Sequence, residues 1–220
     1  LVQLKKTFRE GLQMIYFVNL PATVALIVLA QPIISVLFEH GHFSADSTRL
    51  TAQALQCFAI GLPFVSITRI TSSAFYSLQD SKTPVRAANW AVLVNIAAGA
   101  LLLKPLGHRG LALGVAIGSF FNFVFHLYDF RKKVGPLGLR SSISSILKMS
   151  IAALLMGLAL YLTVPFLKNH FGHSSLQRLL ILMILIFEGC FLYFIFATLF
   201  KIKELEPFLQ MFRRKILKRG

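Results

Sequence analysis

Residues Gly11–Phe38 read GLQMIYFVNLPATVALIVLAQPIISVLF, twenty-eight residues with neither acid nor base. The hydrocarbon core of a bilayer is about 30 Å thick, and about 20 helical residues cross it. This run is long enough to span, and the rest of the chain agrees with it. Of 220 residues, 56% are hydrophobic and 14% charged, and the mean hydropathy is +0.71. A soluble domain carries about 25% charged residues to face water. Disorder, collagen and a disulfide scaffold are excluded by the same composition. The fold class is therefore an all-α integral membrane protein.

Five more apolar segments follow, making six expected transmembrane helices. Pro21 and Pro32 predict kinks in the first, Gly11–Phe38. The second begins near Ser44, where Ser44 and Asp46 form an N-terminal capping signal, and runs to Leu78, with a bend at Gly61 and Pro63. The third, Pro84–Leu103, opens on a proline in its first turn. The fourth, Gly110–Tyr128, carries Gly110, Gly114 and Gly118 one helical turn apart, a stripe that permits close helix contact. The fifth is Ser144–Leu167 and the sixth Leu176–Phe200. Beyond Lys201, the apolar positions Ile202, Leu205, Leu209, Phe212 and Ile216 recur at helical spacing among Arg213, Arg214, Lys215, Lys218 and Arg219. That pattern predicts a C-terminal amphipathic helix on anionic membrane lipids. The expected division is 1–133, four transmembrane helices; 134–200, an additional helix pair; and 201–220, a basic amphipathic cytoplasmic tail.

The 23 Lys and Arg against 8 Asp and Glu give a formal charge of +15. The bases cluster between apolar segments and lack an aromatic–basic module, so topology and anionic lipid explain them and nucleic acid is not an expected partner. Sixteen Lys and Arg fall at the N-terminus, the second and fourth connections and the tail. Five fall in the other connections: Arg49, Lys104, Arg109, Lys168 and Arg178. The positive-inside rule then puts both termini in the cytoplasm. Cys57 and Cys190 lie in apolar runs and read as small buried hydrophobes. The chain opens on Leu1 with a basic amphipathic stretch and no cleavable signal, so a fragment or a processed form is expected.

No phosphate-binding loop, nucleophile elbow or catalytic carboxylate pair is present, so an enzyme and a cofactor are not expected. His40 and His42 flank Gly41. Two histidines in a polar turn suit the water interface; a metal site is the alternative. Within the spans, Arg69 lies about ten residues from the inner end of the second helix, about 15 Å deep. Inserting such a cation costs at least about 2.5–3.5 kcal/mol, so it faces a wet cavity or a partner, or it snorkels inward. Ser66, Thr68, Ser72 and Ser73 surround it. With Ser66 and Ser73, Arg69 marks the candidate wet cavity. Glu188, beside Gly189, is either a protonated glutamate bonded to a neighbouring helix or a proton-linked switch. His126, near the end of its span, reads as an interface residue.

Three stretches carry a family resemblance. Leu37–Thr48 (LFEHGHFSADST), Phe75–Val85 (FYSLQDSKTPV) and Gly107–Leu113 (GHRGLAL) with Asn122 resemble motifs of the MurJ/MviN lipid II flippases, in family order and spacing. Leu20-Pro21-Ala22 and Ala30–Ile34 also fit. His40 departs from the family's usual arginine, and His42 from a small residue. The resemblance covers Leu20 to Tyr128. It implies helices nine to fourteen of a fourteen-helix flippase in a bacterial inner membrane, with the N-terminal part of the transporter missing. The implied substrate is lipid II, the undecaprenyl-pyrophosphate-linked peptidoglycan precursor, moved by alternating access of two rocking lobes. The implied substrate cavity is the one that Arg69, Ser66 and Ser73 mark. The implied role of the last two helices is a groove for the lipid tail, for which Phe187, Phe191 and Phe194 are the candidates. A superfamily exporter of another polyprenyl-linked glycan or a small molecule, or a non-transporting membrane scaffold, are the alternatives.

Overall fold

A computed structural model describes residues 2–138, 142–171 and 174–206. Among them are six helices: α1 (Val2–Phe38), α2 (Ala45–Ser77), α3 (Lys82–Leu106), α4 (His108–Val134), α5 (Ile143–Phe171) and α6 (Ser175–Leu199). All six are long and apolar enough to cross a membrane. The expected spans match one for one, and several run a turn or more further because interface-level polar residues continue the helix. Residues 207–220, with Leu209, Phe212, Ile216 and the basic cluster of the expected tail helix, lie outside the described residues. Of that pattern, Ile202 and Leu205 are buried against α1, α5 and α6.

The helices stand in a row. α3 packs on α4, α4 on α2, and α2 on α1, while α5 and α6 close the far side against α1. α1 therefore serves two cores. Phe17 and Leu29 join Met149, Met156 and Leu160 of α5 and Leu185 and Tyr193 of α6. Phe8 and Leu12 join Ile67 and Phe75 of α2 and Phe130 and Val134 of α4. The outer surface stays apolar: Leu101 is 77% exposed and Phe187 73%. In water such a surface would be a liability; in hydrocarbon it is the ordinary lipid face. Cys190 is exposed and Cys57 half-buried, which corrects the expectation of two buried thiols; lipid solvates an exposed thiol as readily as a core does.

α1 runs as one helix through Pro21 and Pro32. Pro21 has no N–H to offer the carbonyl of Phe17, four residues back. The Tyr193 hydroxyl of α6 donates to that carbonyl at 3.0 Å and binds the two helices together. The Ser44 hydroxyl accepts from the amide of Ser47 and caps α2 as its sequence predicts. At α3 the N-cap residue Ser81 makes no side-chain cap bond, and the carboxylate of Asp80 before it accepts from the amide of Thr83 at 3.0 Å instead.

The glycine stripe of α4 faces α3. A Cβ on Gly114 would lie 2.7 Å from the backbone of Gly99, and one on Gly118 would lie 2.9 Å from the carbonyl oxygen of Ala91. Only hydrogen fits there, so α3 and α4 touch backbone to backbone. Gly107, the single residue between them, has φ +58°, a conformation that glycine adopts without a Cβ clash. On the other side of α4, a Cβ on Gly61 of α2 would lie 3.2 Å from the Cα of Ala116, so Gly61 and the buried Pro63 serve a helix contact. Gly114→Ala is expected to wedge α3 from α4 and cost about 1–3 kcal/mol. Thermal unfolding in detergent should show a lowered midpoint, while Leu101→Ala on the lipid face leaves it nearly unchanged.

Candidate functional site

Arg69 and Ser73 are one turn apart on α2, and both are exposed. Val65 and Tyr76 continue the same open face. Among the described residues Arg69 has no hydrogen-bond or ion-pair partner. Its neighbours on α2 are committed elsewhere. The Ser66 hydroxyl donates to Asn19 of α1 at 3.0 Å, so Ser66 belongs to the α1–α2 seam and not to the open face. The Thr68 hydroxyl turns back to the carbonyl of Phe64. Ser72 reaches across to His126 of α4 at 3.1 Å.

His126 is fully buried, which corrects its reading as an interface residue; α2 covers it. Its Nδ1 lies 3.0 Å from the carbonyl oxygen of Asn122, which can only accept. Nδ1 therefore carries the proton, and Nε2 accepts from the Ser72 hydroxyl. Phe75 meets the ring edge-on, with centroids 5.9 Å apart. Two seams thus fix the rotation of α2: Ser66–Asn19 against α1 and Ser72–His126 against α4. Arg69 and Ser73 are left on the side that neither neighbour covers.

Glu188 is half-buried, and the Thr163 hydroxyl of α5 donates to it at 2.9 Å. An apolar groove of about 320 Å³ runs between α1 and α6 over a floor of α5, lined among others by Pro21, Ala25, Met156, Leu160, Gly189 and Phe194. Of the three candidate aromatics, only Phe194 borders it. Phe187 and Phe191 stack at 6.4 Å, both exposed on α6.

Two polar clusters cap the bundle ends. At the end where α1 stops and α6 starts, Arg178 donates to Glu39 at 3.0 Å and to Ser35 at 3.3 Å, and the buried Thr48 hydroxyl donates to Glu39 at 3.0 Å. Burial pushes the Glu39 carboxyl up, but Ser35, Thr48 and the Arg178 guanidinium outweigh it, and the group titrates below its ordinary value. At the opposite end Lys133 of α4 pairs with Asp80, and Arg86 of α3 pairs with Asp129 at 3.1 Å. The Lys133 ammonium, with the hydroxyl and amide of Thr83, holds the Asp80 carboxyl far below the usual carboxylate range. The sequence reading missed these pairs. Charge counting had put Arg178 on the side where the first span ends, and this was the signal available for pairing it with Glu39. His40 and His42 are exposed in the turn beside it.

The family model described as "Lipid II flippase MurJ" matches residues 2–182. The chain belongs to the MurJ family. A probable lipid II flippase MurJ of Thermotoga maritima is 34% identical over 194 residues, which cover 88% of this chain and 37% of that protein. The lipid II flippase MurJ of Thermosipho africanus is 31% identical over 191 residues, covering 87% of this chain and 36% of its own. A solved structure of lipid II flippase MurJ in an inward closed conformation superposes with TM-score 0.73 at 29% identity, covering 90% of this chain and 39% of that one. The chain therefore spans little more than a third of the length of these MurJ relatives.

Because the Glu39 carboxyl is depressed in the folded state, it contributes stability at neutral pH that is lost as pH falls through its folded value. Both partners are partly exposed, so Glu39→Gln is expected to cost at most about 1 kcal/mol at neutral pH. The gap between wild type and variant should close in acid, as read by thermal unfolding in detergent across a pH series.

Proposed function

We infer that this chain is the C-terminal part of a lipid II flippase that moves the polyprenyl-pyrophosphate-linked peptidoglycan precursor across the bacterial inner membrane. The observation that carries the reading is the open face of α2. A guanidinium with no partner among the described residues stands about two turns inside the end of a membrane-crossing helix, at Arg69 of Ala45–Ser77, with Ser73 beside it, in a chain of the MurJ family. A cation is expensive in hydrocarbon and is retained where it meets water or an anion. The sugars, peptide and pyrophosphate of the substrate cannot cross the lipid core unsatisfied, and a wall of cations and hydroxyls replaces their water.

In this reading the α2 face is one wall of a central cavity, and the remainder of a full-length transporter forms the other. Residues 1–133 act as part of the second lobe and 134–200 as the added pair. The apolar groove along α1, α5 and α6 takes the polyprenyl tail, with Phe194 at its edge. Residues 201–220 rest on anionic lipid at the cytoplasmic face, and both termini lie on that side. The backbone-close α3–α4 pair lets these two helices move as a unit when the lobes rock.

The test replaces Arg69 in a full-length transporter that carries these residues. Arg69→Ala is expected to impair growth rescue in cells depleted of their own flippase and to lower the lipid II exposed at the outer leaflet. Arg69→Lys, which keeps the charge, largely retains both. Equal activity of the two variants removes Arg69 from the mechanism.

A further inference from the structure

The end of the bundle where α1 stops and α6 begins holds a second cavity, of about 170 Å³, separate from the Arg69 face. Its polar lining is Gln31, Ser35 and Glu39 from α1 and the turn after it, and Arg178 from α6. The rest of its lining is apolar, with Val164, Ile181 and Leu185 among the residues. We propose that this cavity is a binding site for a zwitterionic phospholipid with a primary ammonium headgroup, of the phosphatidylethanolamine class.

Depth is the first argument. α6 has 25 residues and is about 37 Å long, more than the hydrocarbon core of about 30 Å. Arg178, in its first turn, stands at headgroup level, and Ile181 and Leu185, about one and two turns further along α6, stand where acyl chains begin.

Charge is the second. Among the described lining residues the charged side chains are Glu39 and Arg178, one of each sign. A site of zero net charge has no preference for an anionic lipid, whose phosphate would sit beside the Glu39 carboxylate with nothing to offset it. A zwitterion matches both halves at once.

Donor geometry is the third. Arg178 makes both of its contacts through Nη1, and side chains 37% and 23% exposed leave the pair open to a ligand. Its Nε and Nη2 hydrogens are free, among the described residues, for a phosphate diester. The Glu39 carboxylate has lone-pair capacity beyond that used by Arg178, Thr48 and Ser35, and an ammonium with N–H groups fills it. A quaternary choline has no N–H to donate, so the site separates the two zwitterions. The fatty chains leave over Val36 and Ile181 into the bilayer. Such a lipid would bridge α6 to the α1–α2 turn by the same groups that already pair there.

Native mass spectrometry of a full-length transporter that carries these residues, in detergent with equimolar phosphatidylethanolamine, phosphatidylcholine and phosphatidylglycerol, tests the proposal. Phosphatidylethanolamine adducts are expected to survive about fivefold or more above either competitor. Arg178→Ala and Glu39→Gln should each abolish the preference, while Phe187→Ala on the lipid face preserves it. The headgroup comparison on the unmodified chain needs no variant, so a poorly folding substitution does not blunt the test. Equal retention of the three lipids, preference for the anionic lipid, or a preference unchanged in both lining variants overturns the proposal.

Discussion

Hydrocarbon offers no hydrogen bonds, and nearly every polar contact in this bundle answers to that fact. Helices satisfy their own backbones. Where a proline breaks the ladder, another helix repairs it: the Phe17 carbonyl freed by Pro21 receives the Tyr193 hydroxyl. Side chains follow the same rule. Gln56 donates to the Ile27 carbonyl, Asn19 accepts from Ser66, and Glu188 accepts from Thr163. Each of these contacts is a helix-to-helix tie, because in lipid the nearest partner for a polar group is usually another helix. Against this background an Arg69 with no partner among the described residues stands out.

Two kinds of contact then fix which face of α2 stays open. Small residues set the distances: Gly61 against Ala116 on one side of α4, and the glycine stripe against Gly99 and Ala91 on the other. Polar ties set the rotation, with Ser66 held by α1 and Ser72 by the buried His126 of α4. A small turn of α2 about its axis would bury Arg69 in one of those seams. The open face of α2 is thus a consequence of what its neighbours hold.

The two ends of the bundle are built differently. At one, Lys133 and Arg86 are paired with Asp80 and Asp129, tying α4 to the α2–α3 connection and to α3. At the other, a single Arg178–Glu39 pair joins α6 to the α1–α2 turn beside a cavity. The first arrangement consolidates helices that already pack closely. The second joins α6 to a turn that leads into α2, across elements that otherwise meet mainly through α1.

The number of helices, their approximate limits, the Ser44 cap and the partner-seeking glycine stripe were all readable along the chain. Each rests on local periodicity, on the length a bilayer demands, or on the absence of a side chain. The family motifs were readable too, since they lie in short contiguous stretches. What stayed hidden depends on which helices become neighbours and at what rotation. Ser66 shares a hydroxyl-rich run with Ser73 yet faces α1, and His126 looks like an interface residue until α2 covers it. Phe187 and Phe191 share a helix with Phe194, but only the last borders the groove. Arg178 and Glu39 are far apart in the chain and meet because α6 packs along α1. Hydropathy is nearly uniform around these helices, so periodicity carries little rotational information. In a membrane, lipid face and core face are equally apolar, and only side-chain fit between helices tells them apart.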